Sequence, residues 1–166
     1  MGIDRMWAAW RGAYVRDVAV RDDAEAECVM CVLASASDDD DALVVARGER
    51  AFVVLNAYPY TSGHLMVVVD RHEGNLEHLT PDEASEVMAL VQWSTAALKR
   101  AYRPDGVNVG INLGAAAGAG IPGHVHVHVV PRWLSDTNFM TTVAQTRVLP
   151  ESLEETLARV RAAWDG

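Results

Sequence analysis

Residues Gly123-His124-Val125-His126-Val127-His128-Val129-Val130-Pro131-Arg132-Trp133 set three histidines at alternate positions, and that alternation constrains the fold more than any other stretch of the chain. Successive side chains of a strand point to opposite faces. A strand here therefore sends Val125, Val127 and Val129 into a core and lines the imidazoles along the other face, toward a cleft or solvent. A neutral imidazole is a nucleophile that titrates near neutrality and can donate from one ring nitrogen while attacking with the other. The same row can also present ligands to a metal such as zinc. On pattern alone both chemistries remain open.

The surrounding chain reads as one α+β domain over residues 1–166. Leu43–Ala46 and Ala51–Leu55 flank Arg47-Gly48-Glu49-Arg50 as two short strands and a tight turn, and His64–Val69 is a third strand. Thr80-Pro81-Asp82-Glu83 opens a helix with an N-cap threonine, proline at the first position and a glutamate that completes a capping box. That helix runs to about Tyr102, with Ala84, Val87, Met88, Val91, Leu98 and Tyr102 as its apolar stripe and Pro104 as its stop. Val107–Leu113 and Val125–Val130 complete about five strands, and Glu151–Trp164 is a last helix facing inward through Leu153, Leu157, Val160 and Trp164. Hairpin-length links favour an antiparallel sheet with the helices on one side. Residues 1–20 carry Trp7, Trp10 and Tyr14 as an apolar arm, and residues 35–41 form an acidic loop expected to be solvated.

Charge and cysteine usage exclude several function classes. A net charge of −9 argues against a nucleic-acid partner, because such surfaces carry basic stripes that neutralise phosphates. No apolar run reaches membrane-spanning length and Met1–Tyr14 lacks a signal-peptide core, so a cytoplasmic protein with no membrane partner is expected. Cys28-Val29-Met30-Cys31 reads in such a compartment as metal ligands or a redox pair sooner than as a structural disulfide.

The run His124-Val125-His126-Val127-His128-Val129-Val130 resembles the signature of the histidine-triad (HIT) family of nucleotide hydrolases and transferases. Met6-Trp7-Ala8-Ala9-Trp10-Arg11, Asn56-Ala57-Tyr58-Pro59-Tyr60-Thr61-Ser62-Gly63-His64, Gly106–Gly114 and Asp136-Thr137-Asn138-Phe139-Met140 are similar to the bacterial branch of diadenosine tetraphosphate phosphorylase-like proteins. Two departures stand out. Ala9 replaces a proline common in the tryptophan pattern, and Val69-Asp70-Arg71 lacks the Pro-Tyr-Arg of close relatives.

The resemblance implies a HIT-like antiparallel sheet with a long helix and a C-terminal helix, assembled as a homodimer. It implies that His126 attacks phosphorus to give a covalent nucleotidyl-histidine, which inorganic phosphate or water then resolves. His128 would lie near the phosphate oxygens and the leaving group, and His124 would either assist in the catalytic site or bind metal. Asn56 would bind ribose, His64 would buttress the triad strand, and Asn112 with Gly118, Gly120 and Gly123 would line the phosphates. The glycine-rich loop can bring backbone N–H groups close to an anion, and Arg132 and Arg71 are further donors that an acidic protein needs for an anionic substrate. Related branches carry a Cys2His2 zinc set, here Cys28, Cys31, His72 and His124; no organic cofactor is implied. The expected function is cleavage of dinucleoside polyphosphates. A phosphoramidase, a transferase acting on a specialised metabolite, and a zinc-stabilised nucleotide-binding protein with little chemistry are the alternatives.

Overall fold

The computed structural model describes residues 28–134, 136 and 151–165. The expected N-terminal arm and most of the Asp136–Met140 segment lie outside the described residues. In chain order the elements are α1 (Val29–Ala34), β1 (Val44–Arg47), β2 (Ala51–Leu55), β3 (Leu65–Val69), α2 (Pro81–Tyr102), β4 (Gly106–Ile111), β5 (His126–Arg132) and α3 (Leu153–Ala162), with 3-10 turns at Leu76–His78 and Ala115–Ala117. The strands form one sheet in the order β1-β2-β3-β5-β4, and every neighbouring pair is antiparallel. Among the described residues no helix is long and apolar enough to cross a membrane.

Alternation along three central strands divides the sheet into two faces. Ala51, Val53, Leu55, Leu65, Val67, Val69, Val127 and Val129 share a core with Val87, Leu90, Leu98, Leu157 and Val160 of α2 and α3. The intervening residues Phe52, Val54, Met66 and Val68 pack on the opposite face with Cys28 and Met30. Helices α2 and α3 share one face as expected, and α1 adds cover to part of the other. Helix α1 has no counterpart in the sequence pattern, because six residues are too few for a legible apolar period.

Helix α2 begins as its sequence predicts. Glu83 N–H donates to Thr80 Oγ1 and the Glu83 carboxylate accepts from Thr80 N–H at 2.8 Å, closing the capping box. Its buried face is rotated from the expected stripe: Ala84 is exposed and Met88 is 56% exposed, while Leu90 and Ala97 turn inward with Leu98. Between β2 and β3, Gly63 has φ +79°, and a Cβ there would sit 2.9 Å from the Tyr102 ring and 3.0 Å from Leu98, so only glycine lets this turn rest on α2. The acidic loop is anchored by ion pairs: Asp39 pairs with Arg47 at 2.8 Å and Asp40 with Arg161.

Glu83 also receives Arg71 Nε at 2.6 Å and Nη2 at 3.1 Å, which ties the segment after β3 to the start of α2. Arg71 first and the Thr80 N–H second hold the Glu83 carboxyl down from 4.5 to about 2. A carboxylate depressed in the fold stabilises it above the unfolded pKa, and that contribution is lost as pH falls through the folded one. Glu83→Gln is expected to cost about 1–3 kcal/mol at pH 7. In urea melts the gap to the parent protein should close between pH 4.5 and about 2; parallel stability curves across that window would mean the ion pair is not felt.

Candidate active site and metal centre

Strand β5 carries His126 and His128 on the face opposite the helix core, paired with Val68 and Met66 of β3. His124 precedes the strand, where Val125 N–H donates to Glu73 O at 2.6 Å. The histidine face is less open than the sequence predicts. His124 is 1% exposed and His126 4% exposed; Cys28, Cys31 and His72 stand against the His124 ring, and α1 packs on the same face of the sheet.

Hydrogen-bond partners assign the proton on each ring. His126 Nδ1 lies 2.7 Å from the His124 carbonyl oxygen, which can only accept, so Nδ1 holds the proton and Nε2 is left with a bare lone pair. A second chain of donors fixes the next ring. Tyr60 N–H donates to His64 Nδ1 at 3.1 Å, so the His64 proton is on Nε2 and is given to His128 Nδ1 at 3.0 Å. The proton of neutral His128 is therefore on Nε2. One ring of the pair offers a nucleophilic nitrogen and its neighbour a donor, with centroids 5.0 Å apart and planes at 83°.

Burial, and then the neighbouring His126, push His128 down from 6.5 to about 4. Burial also lowers His126, opposed by its bond to the His124 carbonyl. Both rings are thus neutral at physiological pH, the state that attack by nitrogen requires.

His124 is oriented away from this pair. Its Nε2 donates to Val69 O at 2.7 Å, leaving Nδ1 unprotonated and 3.4 and 3.6 Å from the Cys28 and Cys31 sulfurs. His72 Nδ1 is 3.3 Å from Cys31 Sγ, and the four ligand atoms lie within 4.8 Å of one another. In a tetrahedral zinc site with ordinary bond lengths, nitrogen and sulfur are ~3.6 Å apart. The set therefore fits a metal ion of zinc's size and preference with little movement. Both nitrogens of His124 are engaged, so of its two expected roles the ring fits the ligand set.

The remaining expected residues divide. Asn56 stands half-buried at the end of β2, its Oδ1 accepting Tyr58 N–H at 2.8 Å and its Nδ2 3.4 Å from His64 Nδ1, so it closes the turn that sets His64. Asn112 is half-buried at the end of β4. In the glycine loop the N–H groups of Ala117, Gly118 and Ala119 close a 3-10 turn on Gly114 and Ala115, with Gly118 at φ 90°. Those amides are spent within the loop; Gly120 and Gly123 follow it on the way to His124. The expected arginine donors are also committed, Arg71 to Glu83, Glu73 and His78 O, and Arg132 to Asp136 and Asn108. Each guanidinium found a carboxylate of this acidic chain. Asp70 is exposed beyond β3, with Arg47 and Glu86 as its charged neighbours, away from the triad. Sequence reading missed the Tyr60 amide and the carbonyls of Val69 and His124, since backbone groups carry no residue signal.

A HIT domain model matches residues 37–133, and the AP-4-A phosphorylase of Mycobacterium tuberculosis is 39% identical over 165 residues, covering 98% of this chain and 85% of that one. The chain belongs to the HIT family. The bis(5'-nucleosyl)-tetraphosphatase of Schizosaccharomyces pombe is 31% identical over 56% of this chain and 50% of its own. Among solved structures, a zinc-bound histidine-triad protein from Mycobacterium smegmatis superposes with a TM-score of 0.68 at 29% identity, covering 84% of this chain and 94% of that one. The matched residues of the HIT model include the whole histidine run of β5.

The proton assignments can be read directly. In ring-resolved nitrogen NMR, His128 is expected to carry its proton on Nε2 and to titrate near pH 4. A midpoint close to the ordinary histidine value would show that the ring is solvated and the relay from His64 broken.

Proposed function

We propose that this HIT protein is a nucleotidyl hydrolase or transferase that cleaves dinucleoside polyphosphates through His126. The observation that carries this reading is the bare Nε2 of His126, enforced by the bond from Nδ1 to the His124 carbonyl. That lone pair attacks the phosphorus of one nucleoside monophosphate unit; a P–N bond forms, the bridging P–O bond breaks, and the rest of the substrate leaves as a nucleoside polyphosphate. An oxygen of phosphate or water then attacks the same phosphorus and the P–N bond breaks. With phosphate as acceptor diadenosine tetraphosphate yields ATP and ADP; with water it yields ATP and AMP. The similarity to the mycobacterial phosphorylase supports phosphate.

His128 donates from Nε2 to the phosphoryl and leaving oxygens. Burial keeps it neutral, and the His64 proton held against its Nδ1 bars a second proton there, so it acts as a fixed donor from Nε2. Little covalent assistance is needed beyond this, because phosphoryl transfer rests mainly on positioning and on donors aimed at the oxygens. Asn112 and the loop at Gly120 and Gly123 supply further polar contacts, Gly118 shapes that loop through its positive φ, and Asn56 holds both the ribose and the His64 turn. His64 acts through His128.

Cys28, Cys31, His72 and His124 hold zinc, which supplies a structural crosslink between α1, the end of β3 and the entry to β5. The zinc-bound relative and the donor spacing support this assignment. Two free thiols suit a reducing, cytoplasmic compartment. β4 is an outer strand of the described sheet and its run Gly106–Ile111 has no charge and no proline, features that normally protect an edge. Pairing of this edge with a second copy, giving a homodimer, would cover it.

The deciding assay incubates the protein with diadenosine tetraphosphate with and without inorganic phosphate. Phosphate-dependent release of ADP and ATP is expected, with His126→Asn reducing turnover by at least ~10³-fold and His128→Asn by about 10²-fold or more. Undiminished turnover in His126→Asn would refute the mechanism, and tight binding without turnover in the parent would assign a nucleotide-binding role instead. Metal analysis should find about one zinc per chain, lost when Cys28→Ser and Cys31→Ser are combined; retained zinc in that double variant would rule out the ligand set.

A further inference from the structure

The metal centre and the nucleophile meet in a single residue. The His124 ring is fixed at both nitrogens, by Val69 O at 2.7 Å and by the two cysteine sulfurs, while the carbonyl of the same residue accepts the Nδ1 proton of His126. The neighbouring backbone is also confined. Val125 N–H donates to Glu73 O at 2.6 Å, and a Cβ on Gly74 would lie 2.8 Å from Pro122 O and 3.0 Å from Gly123 Cα, so the two segments touch backbone to backbone. Displacing the His124 ring therefore moves the peptide group that sets the His126 proton.

We propose that His124 is a positioning residue: by binding the metal through its ring and His126 through its carbonyl, it makes occupancy of the Cys28, Cys31, His72, His124 centre a condition for holding the nucleophile in its attacking tautomer. This rests on the zinc and nucleophile assignments above and adds a dependence of one on the other. Without the carbonyl acceptor the proton of His126 is free to exchange to Nε2, and a ring protonated there has no lone pair to offer phosphorus. The centre acts through geometry, at a distance from the substrate. It is expected to alter kcat and leave KM nearly unchanged, because binding of the polyphosphate uses other groups.

His72→Ala tests this, since it removes one ligand and leaves His124 in place. The variant should lose its zinc, its kcat should fall by about 10–100-fold, the loss typical of an outer-sphere partner, and KM should stay within about twofold. The Nδ1–H signal of His126 should weaken and exchange faster with water, whereas the proton shared between His64 and His128 should not change. Restoring a fourth ligand with His72→Cys should recover zinc, signal and kcat together. A metal-free variant that keeps the His126 signal and kcat would overturn the proposal and leave the centre as a staple of the fold. If the metal-free chain does not fold, exchange of zinc for the larger cadmium ion in the parent protein gives the second reading. A shift of the His126 Nδ1–H resonance on exchange is expected, and an unmoved resonance would overturn the coupling. These spectra need no substrate, so failure of the nucleotidyl-transfer reading, seen as activity surviving His126→Asn, is distinguished from failure of the coupling.

Discussion

Strand β5 is the one element whose two faces are both indispensable. Its valines complete the core between the sheet and helices α2 and α3, and its histidines make the only reactive row among the described residues. A shift of register by one residue would exchange the two sets, burying imidazoles among Val87, Leu90 and Leu98 and leaving valines over the site. That exchange is opposed by burial of several branched side chains at once, each worth about 1.5–3 kcal/mol. The position of the chemistry is thus secured by packing on the far side of the sheet from it.

On the near side the rings are held by backbone. Three carbonyl or amide groups, of Val69, His124 and Tyr60, dictate which nitrogen of His124, His126 and His64 carries a proton, and the last passes its choice to His128. Backbone partners suit this task because they do not titrate and their direction is set by the sheet. Exclusion of water then matters twice. It keeps both reactive rings neutral, and it strengthens every bond that the site directs at phosphate oxygens.

The proposed anionic substrate poses an electrostatic problem for an acidic protein, and Arg71 and Arg132 do not solve it. Arg71 and Arg132 serve as ties, one joining the segment after β3 to the cap of α2 and the other fixing the end of β5 to Asp136 and Asn108. Guanidinium groups surrounded by carboxylates pair within the fold before they meet a ligand. Among the described residues, short-range attraction in the proposed reaction falls to N–H donors such as Nε2 of His128, which act only once the phosphates are within hydrogen-bond reach.

The sequence alone determined whatever depends on periodicity and local chemistry: the strand alternation at Val125–Val130, the capped start of α2 at Thr80, and the pairing of Cys28 with Cys31 as potential ligands. These features involve residues a few positions apart, so their physics is contained in a short window. The tertiary structure decided what depends on distant segments meeting: the packing of α1 on the histidine face of the sheet, the rotation of α2 that exposes Met88, the commitment of Arg71 to Glu83, and the meeting of Cys28 and His124. It also decided the proton on every ring, because the partners are carbonyl and amide groups that every residue possesses and whose direction exists only once the sheet has formed.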